Sequence, residues 1–351
     1  MLRSPSDVPG SSTITFFDFS SGIGSDTKNS ANKINIMKTG RHLYTLFVSL
    51  SFLTSLAAGQ VKVEVQHSQV LVSVNGKSFT ALQKGLDANK PYLAPIFTAS
   101  GKRITRGFPM EKIAGEPTDH PHQRGIWMGF EHLSGMNVWE IDPSDPPKHM
   151  GTIQFQKVVE THDGEKSGGF TVAAQWVNQD GIPMIDETLT LTFYAEPTQN
   201  RAFDVDMRLK AIKLSTFEDS RDGIIGIRFA PPFDENKSGK VVNADGIRGT
   251  KQIEGTHSTW VDWTADLDGE KVGVAMMDSP KNRRAPSTWR CMPFGLLFAN
   301  PFAQRYYDKS REDGSLSLQP GDELRLRYRF LIHTPDTDVA QAFKEFSDNE
   351  K

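Results

Sequence analysis

Alternation of apolar and polar residues runs through much of the chain. In Ala202–Lys210, Phe203, Val205, Met207 and Leu209 alternate with Asp204, Asp206, Arg208 and Lys210. In Glu323–His333, Leu324, Leu326, Tyr328, Phe330 and Ile332 share one face, and Arg325, Arg327 and Arg329 share the other. Thr188–Tyr194 alternates threonine with Leu189, Leu191 and Phe193. A period of two in β-branched and aromatic residues predicts strands with one buried face. Val61–Gln66, Val70–Val74, Thr152–Val159, Phe170–Val177, Ile224–Phe229 and Val272–Met277 are further strand candidates. Turn dipeptides separate many of them, at Asn75-Gly76, Asp163-Gly164, Asp268-Gly269, Asp313-Gly314 and Pro320-Gly321, as hairpins require. Only Asp338–Phe346 reads as a helix, with Val339, Ala342, Phe343 and Phe346 at helical spacing. The pattern predicts an all-β fold: a large antiparallel β-sandwich with a short C-terminal helix.

The N-terminal pattern is different. Residues 1–36 are rich in Ser, Thr, Asn, Asp and Gly and read as a disordered or misassigned extension. From Met37 the anatomy is that of a signal peptide over 37–59. Lys38, Arg41 and His42 form a basic flank, Leu43–Leu56 is apolar, and Ala57, Ala58 and Gly59 are small. The alternative, an N-terminal membrane anchor, fits less well, because the apolar run is short of the roughly 20 residues that span a bilayer. The 36 residues ahead of Met37 would be an odd lead into a signal peptide, so Met37 is the expected initiator. The expectation is an exported protein, periplasmic or extracellular, with no stable membrane insertion after cleavage. No internal repeat or linker divides residues 60–351, so they are expected to form a single all-β domain.

Charge and composition narrow the function. With 40 basic against 43 acidic side chains, the chain lacks the basic excess of a general nucleic-acid binder. A mean hydropathy of −0.44 excludes a polytopic helical membrane protein. The lone cysteine, Cys291, rules out an internal disulfide and a Cys-based zinc site. In an exported protein it reads as a buried, inert thiol rather than a nucleophile.

Three segments concentrate candidate chemistry. Gly115–Trp139 holds Glu116, Asp119, His120, His122, Arg124, Glu131 and His132, framed by Trp127 and Trp139. In extended conformation His120 and His122 would point to one side. Opposite a carboxylate, Asp119 or Glu131, either could act as general acid–base. Two imidazoles and a carboxylate could instead hold a first-row metal ion, or the histidines could simply hydrogen-bond in a polar loop. Gly255–Trp263 holds His257, Asp262, Trp260 and Trp263; the tryptophans could form a sugar-stacking platform or pack in the core. Asp278–Phe302, with three early prolines and Asn300-Pro301 at its end, reads as an irregular, rigid excursion. Its Asn282, Arg283, Arg284 and Arg290 could grip hydroxyls or a carboxylate.

These segments also carry a resemblance. DHPHQRGIW at Asp119–Trp127, NRRAPSTWR and FGLLFANPF within Asn282–Phe302, and LQPGDELRLRYRFLIH at Leu318–His333 resemble the bacterial family labelled "methane oxygenase PmoA". The likeness extends from about Gln60 to Phe346. The family pattern often has His where this chain has Ser279 and Arg290, which weakens a multi-histidine metal site. True particulate methane monooxygenase subunits span membranes with several helices, which this composition excludes. The strand-rich chain and the turn Leu318–Asp322 before a long terminal strand are also similar to galactose-mutarotase-like supersandwiches. That resemblance implies action on, or binding of, carbohydrate, commonly with a His and a carboxylate at the sugar, although fold alone does not decide function.

Three readings follow. The first is an exported carbohydrate-active enzyme of epimerase, lyase or hydrolase type. In it His120 or His122 and Asp119 or Glu131 exchange protons with a small-molecule or oligosaccharide ligand. Arg106, Arg124, Trp127, His132, His257, Trp260, Asn282, Arg284 and Arg290 are the candidate substrate-binding residues. This reading requires no cofactor. The second is a non-catalytic carbohydrate-binding protein using the same residues. The third is a metal-dependent oxidase, perhaps with copper, built on His120, His122 and His132. Each expects His120, His122, His257 and Arg290 to converge on one pocket.

Overall fold

The computed structural model describes residues 60–141, 150–196 and 198–348. The expected N-terminal extension and signal peptide lie outside the described residues. In chain order the strands are β1 Val61–Val65, β2 Gln69–Val74, β3 Lys77–Gln83, β4 Tyr92–Ile96, β5 Ile126–Phe130 and β6 Thr152–His162. Then come β7 Ser167–Val177, β8 Pro183–Tyr194, β9 Arg201–Ala211, β10 Ser215–Phe217, β11 Gly223–Arg228 and β12 Lys240–Asn243. The last six are β13 Trp260–Leu267, β14 Glu270–Asp278, β15 Thr288–Met292, β16 Leu296–Asn300, β17 Leu316–Leu318 and β18 Glu323–His333. A single-turn helix, α1 Thr250–Ile253, precedes β13, and α2 Val339–Asp348 follows β18.

The strands form two eight-stranded antiparallel sheets, as the alternation predicts. The first sheet has the order β1-β2-β3-β4-β5-β11-β16-β15, and the second β12-β13-β14-β18-β9-β8-β7-β6. Strands β10 and β17 pair separately. One hydrophobic core draws on both sheets. In its centre Phe203 and Phe330, directly opposite on β9 and β18, stack with centroids 5.1 Å apart, and Phe193 stacks on Phe203 at 5.3 Å. Truncating such a ring typically costs about 3–5 kcal/mol. Three of the five turn dipeptides lie between strands that pair, whereas Asp313-Gly314 and Pro320-Gly321 flank β17, which pairs with β10 rather than with a chain neighbour. Asn75-Gly76 joins β2 to β3 and Asp268-Gly269 joins β13 to β14, with positive φ at all four residues, as type I′ turns require. Among the described residues no helix is long and apolar enough to cross a membrane.

Two expectations need correction. Asp278–Phe302 is not irregular throughout, because β15 and β16 form a hairpin inside it. Its prolines sit outside the strands: Pro286 before β15 and Pro293 in the turn. Trp289, Cys291, Leu297 and Ala299 alternate into the core, a pattern the flanking prolines disguise. The lone thiol Cys291 is buried, and burial pushes its pKa well up. The second correction concerns the tryptophan platform. Trp260 and Trp263 are three apart on β13, so they face opposite ways. Trp263 is fully buried in the core, while Trp260 packs on the outer side of the second sheet against the residues that meet α2.

Candidate active site on the outer face of the first sheet

The outer face of the first sheet is built by the residues that alternate away from the core. Tyr92, Trp127, Gly226, Phe298 and Arg290 are successive cross-strand partners from β4 to β15. Gly226 is what lets the large rings meet. A Cβ there would lie 3.0 Å from the tip of the Trp139 ring and 3.1 Å from Phe298. Trp127 and Trp139 sit 4.9 Å apart over this floor, fully enclosed. Trp127 is thus a buried support rather than an accessible platform for substrate.

At one end of this floor lies a histidine–carboxylate pair. His120 Nδ1 is 2.6 Å from Asp119 Oδ2. The other carboxylate oxygen, Oδ1, accepts from Arg106 at 2.7 Å and Arg228 at 3.2 Å. Both arginine side chains are buried, at 0% and 1% exposure. Burial raises the Asp119 pKa, but Arg228, His120 and Arg106 outweigh it and hold the carboxyl below its ordinary range. Asp119 is therefore ionised near neutrality, and the Nδ1 of His120 carries a proton toward it. Its Nε2 takes no hydrogen-bond partner from the described residues, and the side chain is 47% exposed. This is the geometry of an oriented acid–base imidazole.

The loop is shaped around that imidazole. His120 has φ +46°, a conformation that costs a non-glycine residue and is commonly found at functional positions. Arg106 fixes the loop by donating to the carbonyls of Asp119, His120 and Gln123 at 2.8, 2.9 and 3.2 Å. Arg228 also donates to Gln123 Oε1 at 2.5 Å and lies over Phe294 at 4.1 Å. Phe294 stacks on His120 at 5.9 Å. His122 meets His120 edge-on at 5.8 Å, so the two rings do come together, although not through an extended backbone.

A cleft of about 270 Å³ shares Arg106 with the pair, although neither Asp119 nor His120 lines it; Asp87, Tyr92, Arg103, Met110 and Glu111 are in its walls. Arg124 donates to Asp87 at 2.8 Å and packs over Tyr92. Glu116 accepts from the backbone N–H groups of Gly107 and Phe108. Arg106, Arg124 and Arg228 are thus offset by Asp87, Glu116 and Asp119.

The remaining candidates lie elsewhere. Glu131 and His132 leave the far end of β5, roughly 20 Å from the His122 end along the extended strand. Glu131 accepts from the backbone N–H of Asp222 at 2.8 Å; burial and then Asp222 push its pKa up. His132, exposed and remote from His120, cannot join it in a metal site, and among the described residues no trio of metal-ligating side chains converges. At that far end Arg290 bonds Glu254 at 2.7 Å, and Tyr307 donates to the same oxygen. His257 donates from Nδ1 to Pro286 O and accepts at Nε2 from Arg311 at 2.6 Å. Burial, aided by Arg311, lowers its pKa, so it stays neutral. Asn282 braces Asp278 and the backbone of Arg327, and Arg284 donates to Ser315 O. The expected single pocket is therefore two separate centres, with His120 and His122 at one and His257 and Arg290 at the other. Arg228 and Phe294 were missed. An outward arginine after Ile225 and Ile227 on an otherwise apolar strand was the available signal.

An all-β two-sheet protein with an oriented His–Asp pair on one outer face is the class that fold and site define. Residues 69–347 match a family of unknown function, DUF6807, and the chain belongs to that family. No curated protein matches the sequence. Among solved structures, a putative aldose 1-epimerase from Escherichia coli K12 is 8% identical at a TM-score of 0.37, covering 79% of this chain and 100% of that one. A polysaccharide lyase is 11% identical at 0.34, covering 83% and 35%. A GalM/aldose epimerase homologue from C. elegans is 10% identical at 0.31, covering 79% and 99%. Likenesses this weak decide neither substrate nor reaction.

Proposed function

We propose that this chain is an exported carbohydrate-active enzyme in which His120, oriented by Asp119, exchanges protons with a bound sugar. The observation that carries the reading is the Asp119–His120 pair itself. One ring nitrogen is fixed by an ionised carboxylate, the other is open, and two buried arginines hold the carboxylate in place. His122 is the second imidazole within reach of a ligand at His120. The balance of guanidinium and carboxylate groups around the cleft suits an uncharged, polyhydroxylated ligand better than an ion. Two-carboxylate hydrolysis fits poorly, because it needs a facing pair of carboxyl groups and Asp119 is already committed to His120 and the arginines. Epimerisation or elimination, in which one group takes a proton and a second group delivers one at another position, fits better, with His122 as the second group.

The test follows the anomeric and ring protons of a panel of mono- and disaccharides by NMR. The expected result is turnover that His120→Asn lowers by roughly 10²–10⁴. Saturable shifts without turnover, altered by His120→Asn only in affinity, would make this a binding protein. No saturable shift with any sugar would sink both readings. Export is tested by the N-terminus of protein recovered outside the cytoplasm. A start near Gln60 supports it, and an intact Met37 on cytoplasmic protein overturns it.

A further inference from the structure

The outer face of the second sheet carries a larger cleft, of about 490 Å³, within the size range of small-molecule sites. Its floor is a cross-strand row from β12 to β18: Lys240, Thr264, Gly273 and His333. The Pro335–Val339 segment walls it on one side, and Asp266 and Lys271 on the other. Gly273 is specifically required, since a Cβ there would lie 2.2 Å from the His333 ring. The ring therefore lies flat on the sheet and leaves room above the row.

At the bottom of the cleft is Asp262, only 7% exposed. Its Oδ1 is 2.9 Å from His333 Nε2, while His333 Nδ1 donates to Thr334 O at 2.9 Å. Acceptors at both ring nitrogens make His333 an imidazolium, so the charge of Asp262 is already compensated. Among the described residues His333 is the one hydrogen-bond partner of the Asp262 carboxylate, and it uses Oδ1 alone. Oδ2 takes no donor from the described residues and is not sealed in the core, so it stands at the cleft floor as an open acceptor.

We infer that this cleft is a second ligand site, for a neutral hydroxyl-bearing ring the size of a monosaccharide. A hydroxyl donates to Asp262 Oδ2, and the C–H face of the ring lies against Pro335 and Val339. A second cation is disfavoured, because the carboxylate already faces an imidazolium and Lys240 and Lys271 flank the opening. Thr264 supplies a further hydroxyl from the floor.

The experiment is an NMR titration of the whole chain with D-glucose, D-galactose and D-xylose up to about 100 mM, reading the His333 ring and the Gly273 and Thr337 amides. Saturable shifts are expected at all three. Thr264→Trp, which fills the cleft from the floor position opposite Gly273, should abolish them. Asp262→Asn keeps an acceptor for His333 but places an amide at the floor, and should weaken binding about tenfold. If that variant fails to fold, Thr264→Trp decides alone. No saturable shift at these residues, or shifts that survive Thr264→Trp, would overturn the site. His120→Asn should leave these shifts unchanged, so this site and the reaction proposed at the first sheet can fail separately.

Discussion

The molecule contains two histidine–aspartate pairs, one on each outer sheet face, and they differ in what they leave open. At Asp119–His120 the carboxylate takes Nδ1, and Nε2 takes no partner from the described residues on a half-exposed side chain. At Asp262–His333 the carboxylate takes Nε2, a carbonyl takes Nδ1, and the imidazole is 3% exposed. The first pair sits in a loop with a left-handed backbone at His120. The second sits at the end of β18, flat on Gly273. The same two residue types thus give an imidazole that could exchange a proton in one place and an imidazolium bonded at both nitrogens in the other. The number of ring nitrogens left without a fixed acceptor decides which.

The largest effects should come from breaking each pair. His120→Asn is expected to lower turnover by roughly 10²–10⁴ with little change in melting temperature, since the ring is half-exposed. His333→Asn should do the reverse, leaving turnover intact and costing about 3–5 kcal/mol, because it strands the Asp262 charge in a buried position. Urea denaturation and steady-state rates on the two variants check the contrast, and a rate loss in His333→Asn would erase it. The second pair also predicts a pH dependence of stability. Burial lowers the His333 pKa, but the bond and charge of Asp262 outweigh this and leave it raised. A raised histidine contributes stability that is complete below its ordinary pKa and fades as pH climbs through the folded value.

Glu187 shows what a buried carboxylate does without a histidine. It lies in the core, where Trp176 Nε1 donates to it at 2.6 Å. Burial pushes its pKa up to about 7, against a lowering by that one bond. The folded state therefore holds the proton more tightly than the unfolded chain. The resulting stability is full below about pH 4.5 and is lost as pH rises to about 7. Glu187→Gln should flatten that decline and raise stability above pH 7 by an amount on the order of 3 kcal/mol. Denaturation midpoints across pH 4 to 8 would show it, and an unchanged slope in the variant would mean that Glu187 stays charged in the fold.

Much of the fold was legible because period-2 patterning is local. β9 and β18 follow their alternating stretches to within a residue, and α2 follows its helical spacing. The short strands β4, β5, β12, β15 and β16 were harder. Tyr92–Ile96, Ile126–Phe130 and Leu296–Asn300 bury residues on both faces, so no alternation of polarity marks them. The site was legible in part for a related reason. Asp119, His120 and His122 are neighbours in sequence and meet in space, whereas Arg228 and Phe294 reach them only through sheet pairing. Conversely, Glu131 and His132 look adjacent to the pair in the chain, but a strand that crosses the sheet carries them to its far side. Sequence distance is a fair guide within a loop and a poor one across an extended strand.

The smallest expected effect separates the two centres of the first sheet's outer face. Arg290 bonds Glu254 and lies over Phe298, with 14% of its side chain exposed. Removing it leaves a partly exposed carboxylate that still has Tyr307 as a donor, so Arg290→Gln should cost only about 1–2 kcal/mol. Its effect on turnover is the more telling readout. Arg290 is two strands from Arg228 and offset along the sheet, about 12 Å away by strand spacing and rise. If the His120 centre works alone, kcat/KM for a small sugar should change less than about twofold. A loss confined to longer oligosaccharides, with monosaccharide turnover intact, would show instead that one ligand spans both centres and that Arg290 belongs to its distal end.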